Sequence, residues 1–305
     1  MFRFAINRLL QAIPVLLVVI SITFLLVHSA PGGPFSADKA VPPEVIKALE
    51  AQYNLDQPVW QQYLNYLGDV VKGDFGPSFK YSGRTVNELI AAGLPTTAEL
   101  AFYAMLIAVG IGVLAGVTAS LRPNTMQDYV PMTAAMIGIC MPSFLLGPLL
   151  VLVFGIYLDW LPISGWGDIP GDKILPSITL GTGYAAYIAR LSRGGMLEVL
   201  SQDYIRTAQA KGLKERDIMI HHALKNAAVP IITVIGIGIG LLISGAVVTE
   251  TVFAIPGIGR LTVDAILRRD YPIIQGVILI FSATYVIINL LIDLSYVFFD
   301  PRIRY

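Results

Sequence analysis

The sequence predicts an all-α integral membrane protein with several spans. Of its 305 residues, 55% are hydrophobic and only 14% are charged, against about 25% charged in ordinary soluble domains. Mean hydropathy is +0.68. The apolar residues also gather in runs long enough to cross about 30 Å of hydrocarbon, a length that requires about 20 residues of helix. The same figures exclude other classes. Disordered chains are polar and rich in charge. A single cysteine, Cys140, rules out a disulfide framework or a Cys-ligated metal site. Lys plus Arg and Asp plus Glu both total 21, so there is no basic excess for nucleic acid.

Six runs qualify as spans: Leu9–Ala30, Thr97–Leu121, Val130–Leu158, Ile174–Ala189, Ala227–Val248 and Ile273–Phe299. The fourth is short and rich in small residues. The first exceeds the usual 7–15 residues of a signal-peptide core, and His28-Ser29-Ala30 is a poor cleavage site, so it reads as a retained helix. Six spans put both termini on one side. With the N-terminus inside, the cytoplasmic set is Arg3, Arg8, Arg122, Arg190, Arg193, Arg206, Lys211, Lys214, Arg216, Lys225, Arg302 and Arg304. The short outer loops hold only Lys173, Arg260, Arg268 and Arg269. Twelve against four places both termini in the cytoplasm. The chain then divides into a tail with the first span (1–30), an extracytoplasmic helical loop (31–95) and a core with five spans (96–305).

In the outer loop, Pro42-Pro43-Glu44 is a helix start, and Ile46, Leu49 and Tyr53 follow at helical spacing. A second amphipathic stretch runs from Pro58 through Trp60, Tyr63, Leu64, Leu67 and Val71 to Gly73. These helices suit a cap on the membrane domain or a docking surface for an external partner. The inner loop 190–226 contains a short helix, Asp203–Lys211, closed by Gly212, then a second helix from Lys214 to Asn226. A helix, a glycine turn and a helix make a protruding knob. The interleaved Thr207, Ala208, Ala210 and Gly212 suit insertion into a groove better than a freely solvated face.

That loop resembles the signature of permease subunits of binding-protein-dependent ABC importers. Arg206-Thr207-Ala208 precedes Gly212 at the spacing of the family's Glu-Ala-Ala-x-x-x-Gly, with Arg206 in place of the glutamate and Lys225 where a proline usually ends the motif. Both departures are similar to the peptide-transporting branch of the family. So are Gly73-Asp74-Phe75-Gly76-Pro77-Ser78, Leu94-Pro95-Thr96-Thr97, Glu250-Thr251-Val252-Phe253 with Pro256-Gly257-Ile258-Gly259, Arg269-Asp270-Tyr271-Pro272 and the terminal Asp300-Pro301-Arg302-Ile303-Arg304-Tyr305.

The resemblance implies a six-helix type I importer permease that carries oligopeptides across the bacterial inner membrane. It implies a second homologous permease as heterodimer partner, two cytoplasmic ATPase subunits and an extracytoplasmic peptide-binding protein. The chain has no Gly-x-x-x-x-Gly-Lys-Ser/Thr loop, so ATP and Mg would be bound by the ATPases and no cofactor by this chain. By the same resemblance, Asp203, Tyr204, Ile205, Arg206, Thr207, Ala208, Lys211 and Gly212 form the coupling helix that docks in an ATPase groove. The short outer loop Asp159–Lys173 favours oligopeptides over the runner-up cargoes, which are dipeptides, glutathione and nickel chelates.

Some residues keep two readings. Gly236, Gly240 and Ser244 in the fifth span serve close helix packing or line the pathway. Asp293 is an ionisable group inside the sixth span, paired between helices or acting on a substrate amine or proton. Glu99 reaches the interface. Glu250 contacts the partner permease or a docked binding protein. His221 and His222, about 100° apart on a helix, are solvated or interfacial, and Cys140 is a small buried hydrophobe. Two other classes compete with the importer. A membrane-embedded enzyme needs a nucleophile and base within spans, and no Gly-x-Ser-x-Gly, His-Glu-x-x-His or deep histidine occurs. A passive channel has no use for the knob.

Overall fold

The computed structural model describes residues 2–35 and 42–299, and Asp300–Tyr305, with Arg302 and Arg304, lies outside them. The described chain is helical: α1 (Phe2–Ser29), α2 (Pro43–Gln52), α3 (Val59–Val71), α4 (Val86–Leu121), α5 (Met126–Cys140), α6 (Ser143–Leu150), α7 (Ile174–Leu200), α8 (Asp203–Ala210), α9 (Glu215–Asp217), α10 (Lys225–Val252), α11 (Ile258–Arg268) and α12 (Tyr271–Phe299). A π-helical turn extends α6 over Val151–Tyr157, and another, Ile218–Leu224, joins α9 to α10. Among the described residues, Ala5–Ser29, Val86–Leu121, Pro230–Val252 and Tyr271–Leu294 are long and apolar enough to cross a membrane. Residues such as Leu10, Leu26, Leu114 and Leu291 stand exposed on these helices. Such a surface is untenable in water and natural in lipid.

The third expected span is not one straight helix. α5 and the α6 segment meet at an angle of 108°. The cause is Pro142, which drives the preceding Met141 out of the helical region to ψ 112°. Cys140, expected to be buried, is exposed at this bend.

The chain groups into two compact units, 2–96 with 256–286 and 97–255 with 287–299. In the first, Val86, Ile90, Ile258, Ala265, Ile273 and Val277 form an apolar core. Asp270, between α11 and α12, is fully buried. It accepts hydrogen bonds from Ser78 Oγ at 2.5 Å, Lys80 N at 3.1 Å and Phe79 N at 3.3 Å. A buried carboxylate without such donors would be costly. Tyr271 Oη donates to the Gly32 carbonyl at 3.2 Å, so the end of α1 and the start of α12 lie together. His28, isolated in the sequence, stacks on Phe24, and its Nε2 lies 3.2 Å from Gln62 Oε1.

In the second unit, polar ties mark two levels. At one, Lys173 Nζ donates to Glu99 Oε1 at 2.5 Å, Trp166 Nε1 donates to Glu99 Oε2 at 2.9 Å, and Thr97 Oγ1 donates to Glu250 Oε1 at 2.6 Å. The Glu99 carboxylate beside Lys173 holds that ammonium above its ordinary pKa. At the other level, Arg193 Nε and Nη2 each donate to Asp128 at 2.6 Å, and Gln127 Nε2 donates to the Thr118 carbonyl at 3.2 Å. α4 and α7 both run from the first level to the second. From Lys173 to Arg193, a helix rising 1.5 Å per residue advances about 30 Å, the thickness of a hydrocarbon core. Small residues close the helix contacts. A Cβ on Gly181 would meet the Ala104 carbonyl oxygen at 2.5 Å, and one on Gly112 would meet the Ala185 carbonyl oxygen at 2.6 Å.

Two stability predictions follow from this packing. Gly238 has the Tyr184 ring where its Cβ would be, so Gly238→Ala should cost roughly 1–3 kcal/mol by overpacking. Thermal unfolding in detergent should show a lower midpoint, with the loss much reduced in a Tyr184→Ala background. Asp128 is 2% exposed, and removing its guanidinium partner by Arg193→Met should cost about 3–5 kcal/mol. The double variant Asp128→Leu/Arg193→Met should recover most of that in the same assay.

Candidate functional site: the α8 knob and the α10 glycine face

α8 is held by its own apolar stripe. Ile205 and Ala208, three residues apart and so on one face, are 1% and 6% exposed and pack with Met196, Ile218, Ala223 and Ala227. Those two expected coupling residues therefore seat the helix on its own unit and offer nothing to a partner. The outward face is Asp203, Tyr204, Arg206, Thr207 and Gln209, with Lys211 just beyond. Arg206 lies 3.8 Å from Asp203, both well exposed, a pairing of little energetic weight in water. Asn226 Nδ2 donates to Tyr204 Oη at 2.9 Å, tying the knob to the first turn of α10.

Gly212 closes α8 as expected, for a specific reason. Its φ is +77°. Its N–H donates to the Gln209 carbonyl at 2.9 Å, and the Leu213 N–H donates to the Ala208 carbonyl at 3.3 Å. This is the Schellman closure, which requires a left-handed residue at that place. A Cβ on Gly212 would meet nothing within 4 Å, so the requirement within this chain is conformational rather than spatial.

On α10, Gly236 faces α12, where its Cβ would meet Ile292 Cγ1 at 2.5 Å. Gly238 faces Tyr184, whose hydroxyl donates to the Val234 carbonyl at 2.9 Å. Gly240 is buried, while Ser244 is exposed and donates to the Gly240 carbonyl at 3.1 Å. Packing therefore accounts for Gly236, and Ser244 is the member of the set that meets the outside of the chain. Asp293, half-buried on α12, follows Ile292 directly. Glu250 corrects an expectation: it is 0% exposed and bonded to Thr97, so it presents no surface to a partner. Its place near the end of α10 suggested an exposed rim, but α4 covers it. His221 sits exposed in the π turn and His222 is half-buried beside it. Among the described residues, no group of His, Cys, Asp and Glu has metal-holding geometry.

Sequence reasoning missed the Arg193–Asp128 and Lys173–Glu99 pairs, whose partners lie 65 and 74 residues apart. Only an unexpected charge at the edge of an apolar run hinted at either.

Comparison with known proteins agrees with this architecture. Residues 108–305 match the family described as binding-protein-dependent transport system inner membrane component, and residues 1–101 match its N-terminal family. The chain is 46% identical to the oligopeptide transport system permease protein OppB of Salmonella typhimurium over all of both chains. It is 42% identical to the dipeptide transport system permease protein DppB of Bacillus subtilis, covering all of this chain and 98% of that one. Among solved structures, the methionine ABC transporter MetNI in an inward-facing form matches with a TM-score of 0.53 at 18% identity, over 67% of this chain and 93% of that chain. An amino acid ABC transporter crystallised with histidines matches with a TM-score of 0.52, also at 18% identity, over 71% of this chain and 95% of that one. With its glycine-closed knob and its apolar crossing helices, this chain belongs to the inner membrane components of binding-protein-dependent transport systems.

Proposed function

We propose that this chain is the permease subunit of an importer that brings oligopeptides across the bacterial inner membrane. The observation that carries this is the 46% identity, over the full length of both chains, to an oligopeptide permease. It works with a second, homologous permease, two cytoplasmic ATPases that bind ATP and Mg, and an external peptide-binding protein. The chain itself is not an enzyme. It has six spans with both termini in the cytoplasm. α7 supplies the fourth of these, supported by its reach between the two polar levels, although its composition is less apolar. Dipeptides are the second reading, favoured by the 42% identity to a dipeptide permease. ATP-driven uptake into vesicles bearing the whole complex tests both, using labelled oligopeptide and labelled dipeptide in parallel. Uptake of neither would refute the reading.

In this mechanism, the outward face of α8 lies in a groove of an ATPase. Closure of the ATPase pair pushes α8, and the contacts of Ile205 and Ala208 pass that push to α7 and α10 as a rigid-body tilt. Gly212→Val puts a β-branched residue at φ +77°, a genuine outlier for that residue type, and should loosen the knob. Expected results are normal membrane insertion, weaker retention of the ATPase in pull-down and several-fold lower peptide-stimulated hydrolysis. Normal values for both would remove α8 from the coupling role.

The orientation is tested by cysteine labelling in a Cys140→Ser background. Lys72 and Gln209 are both exposed. Lys72→Cys should label from outside in sealed cells, and Gln209→Cys only after permeabilisation.

A further inference from the structure

Within the unit 2–96 and 256–286, a cavity of about 230 Å³ lies among the end of α1, α2–α3, the 75–79 segment and the start of α12. Six aromatic side chains, Phe24, Tyr53, Tyr66, Phe75, Phe79 and Tyr271, form one part of its wall, and polar side chains such as His28 and Gln62 form another. The rings touch in sequence, with Tyr53 and Phe79 centroids 4.7 Å apart, Phe79 and Tyr271 6.3 Å apart, and Phe24 and Tyr66 6.1 Å apart. Such spacing is that of favourable ring contacts and gives a stiff shell. Phe35, itself buried, backs Tyr53 and Phe79 from behind.

Gln275, on the second turn of α12, also lines the cavity. It is 6% exposed, and its Nε2 has no hydrogen-bond partner. A buried amide N–H left unmade is costly, and such an exception asks for an explanation. An amide nitrogen can only donate, so what it lacks is an acceptor. Gln52, Asn54, Gln62 and Asn65 line it as well; of these, Gln62 Nε2 donates to the carbonyls of Leu55 and Gln57 at 3.1 and 2.8 Å, and Asn65 Nδ2 donates to Gln57 Oε1 at 3.1 Å. No Lys or Arg lines the cavity, and its one acid, Asp69, lies 3.3 Å from Lys72 Nζ. Burial pushes the Tyr66 phenol above its ordinary pKa and keeps it neutral. The cavity therefore suits a neutral ligand with a flat apolar part and a carbonyl oxygen. A dry cavity of about 150 Å³ takes benzene, so this larger space takes a ring with a short amide arm. It falls below the roughly 300–1,000 Å³ of sites for larger ligands.

We propose that this cavity binds one aromatic amino-acid side chain together with its adjacent backbone carbonyl, the carbonyl accepting from Gln275 Nε2. Nothing in this assignment depends on transport, so it can fail while the permease reading stands, and the reverse. The probe is N-acetyl-L-phenylalaninamide, with N-acetylglycinamide and 2-phenylethanol as controls lacking the ring and the carbonyl. Binding is read by saturation-transfer NMR on the full-length chain in its membrane complex, in nanodiscs and free of binding protein. The expected result is saturable millimolar binding of the phenylalanine probe and at least several-fold weaker binding of either control. Gln275→Leu should weaken the phenylalanine probe about 5–10-fold, the loss of one hydrogen bond of about 1–1.5 kcal/mol. Leu55→Trp, which fills the cavity from α2's end, should abolish binding while leaving the thermal midpoint near that of the parent, and it decides the matter alone if Gln275→Leu does not assemble. No saturable binding to the parent, or binding unchanged by Leu55→Trp, would overturn the proposal.

Discussion

A carboxylate that leaves water must find donors, and this chain meets that constraint at several helix ends. Asp270 collects one hydroxyl and two backbone N–H groups from the segment at 78–80. Glu250 takes the hydroxyl of Thr97, and Asp128 takes both arms of Arg193. Lipid-facing helices gain little from hydrophobic contact with one another, because lipid is as apolar as leucine. The polar ties therefore set which helix ends share a level, and the small residues set how closely the helices approach.

The knob shows how one short helix serves two faces. Eight residues give little more than two turns, too few for an isolated helix to persist in water. α8 persists because Ile205 and Ala208 sink into an apolar cluster shared with the end of α7 and the start of α10. The same burial that stabilises the helix also makes it rigid toward the elements it would move.

Charge placement follows a similar economy. The Asp128 carboxylate is withdrawn from water beneath Arg193, where losing its partner costs far more than a pair yields on a surface, while Lys173 and Glu99 both stay partly exposed. The exposed Arg206 and Asp203, by contrast, lie 3.8 Å apart with most of both side chains in solvent. They are free to exchange each other for a partner's charges at small cost.

The sequence by itself determined the helices, because a lipid solvent demands long unbroken apolar runs with every backbone group bonded inside the helix. Leu9–Ala30, Thr97–Leu121 and Ile273–Phe299 stand within α1, α4 and α12 to within a residue, and Pro43, Pro58 and Gly212 mark helix ends through fixed dihedral preferences. The α8 knob was legible because its closing glycine is a local signal, although the small residues read as facing a partner include Ala208, which faces inward. Only the tertiary structure decided the rest. It buried Glu250, exposed Cys140 and turned Ile205 and Ala208 inward. It also joined Lys173 to Glu99 and left the Gln275 amide facing a cavity walled in part by aromatic rings. Each of these depends on what lies opposite a side chain across a helix contact, and partners tens or hundreds of residues apart leave no periodic mark in the chain.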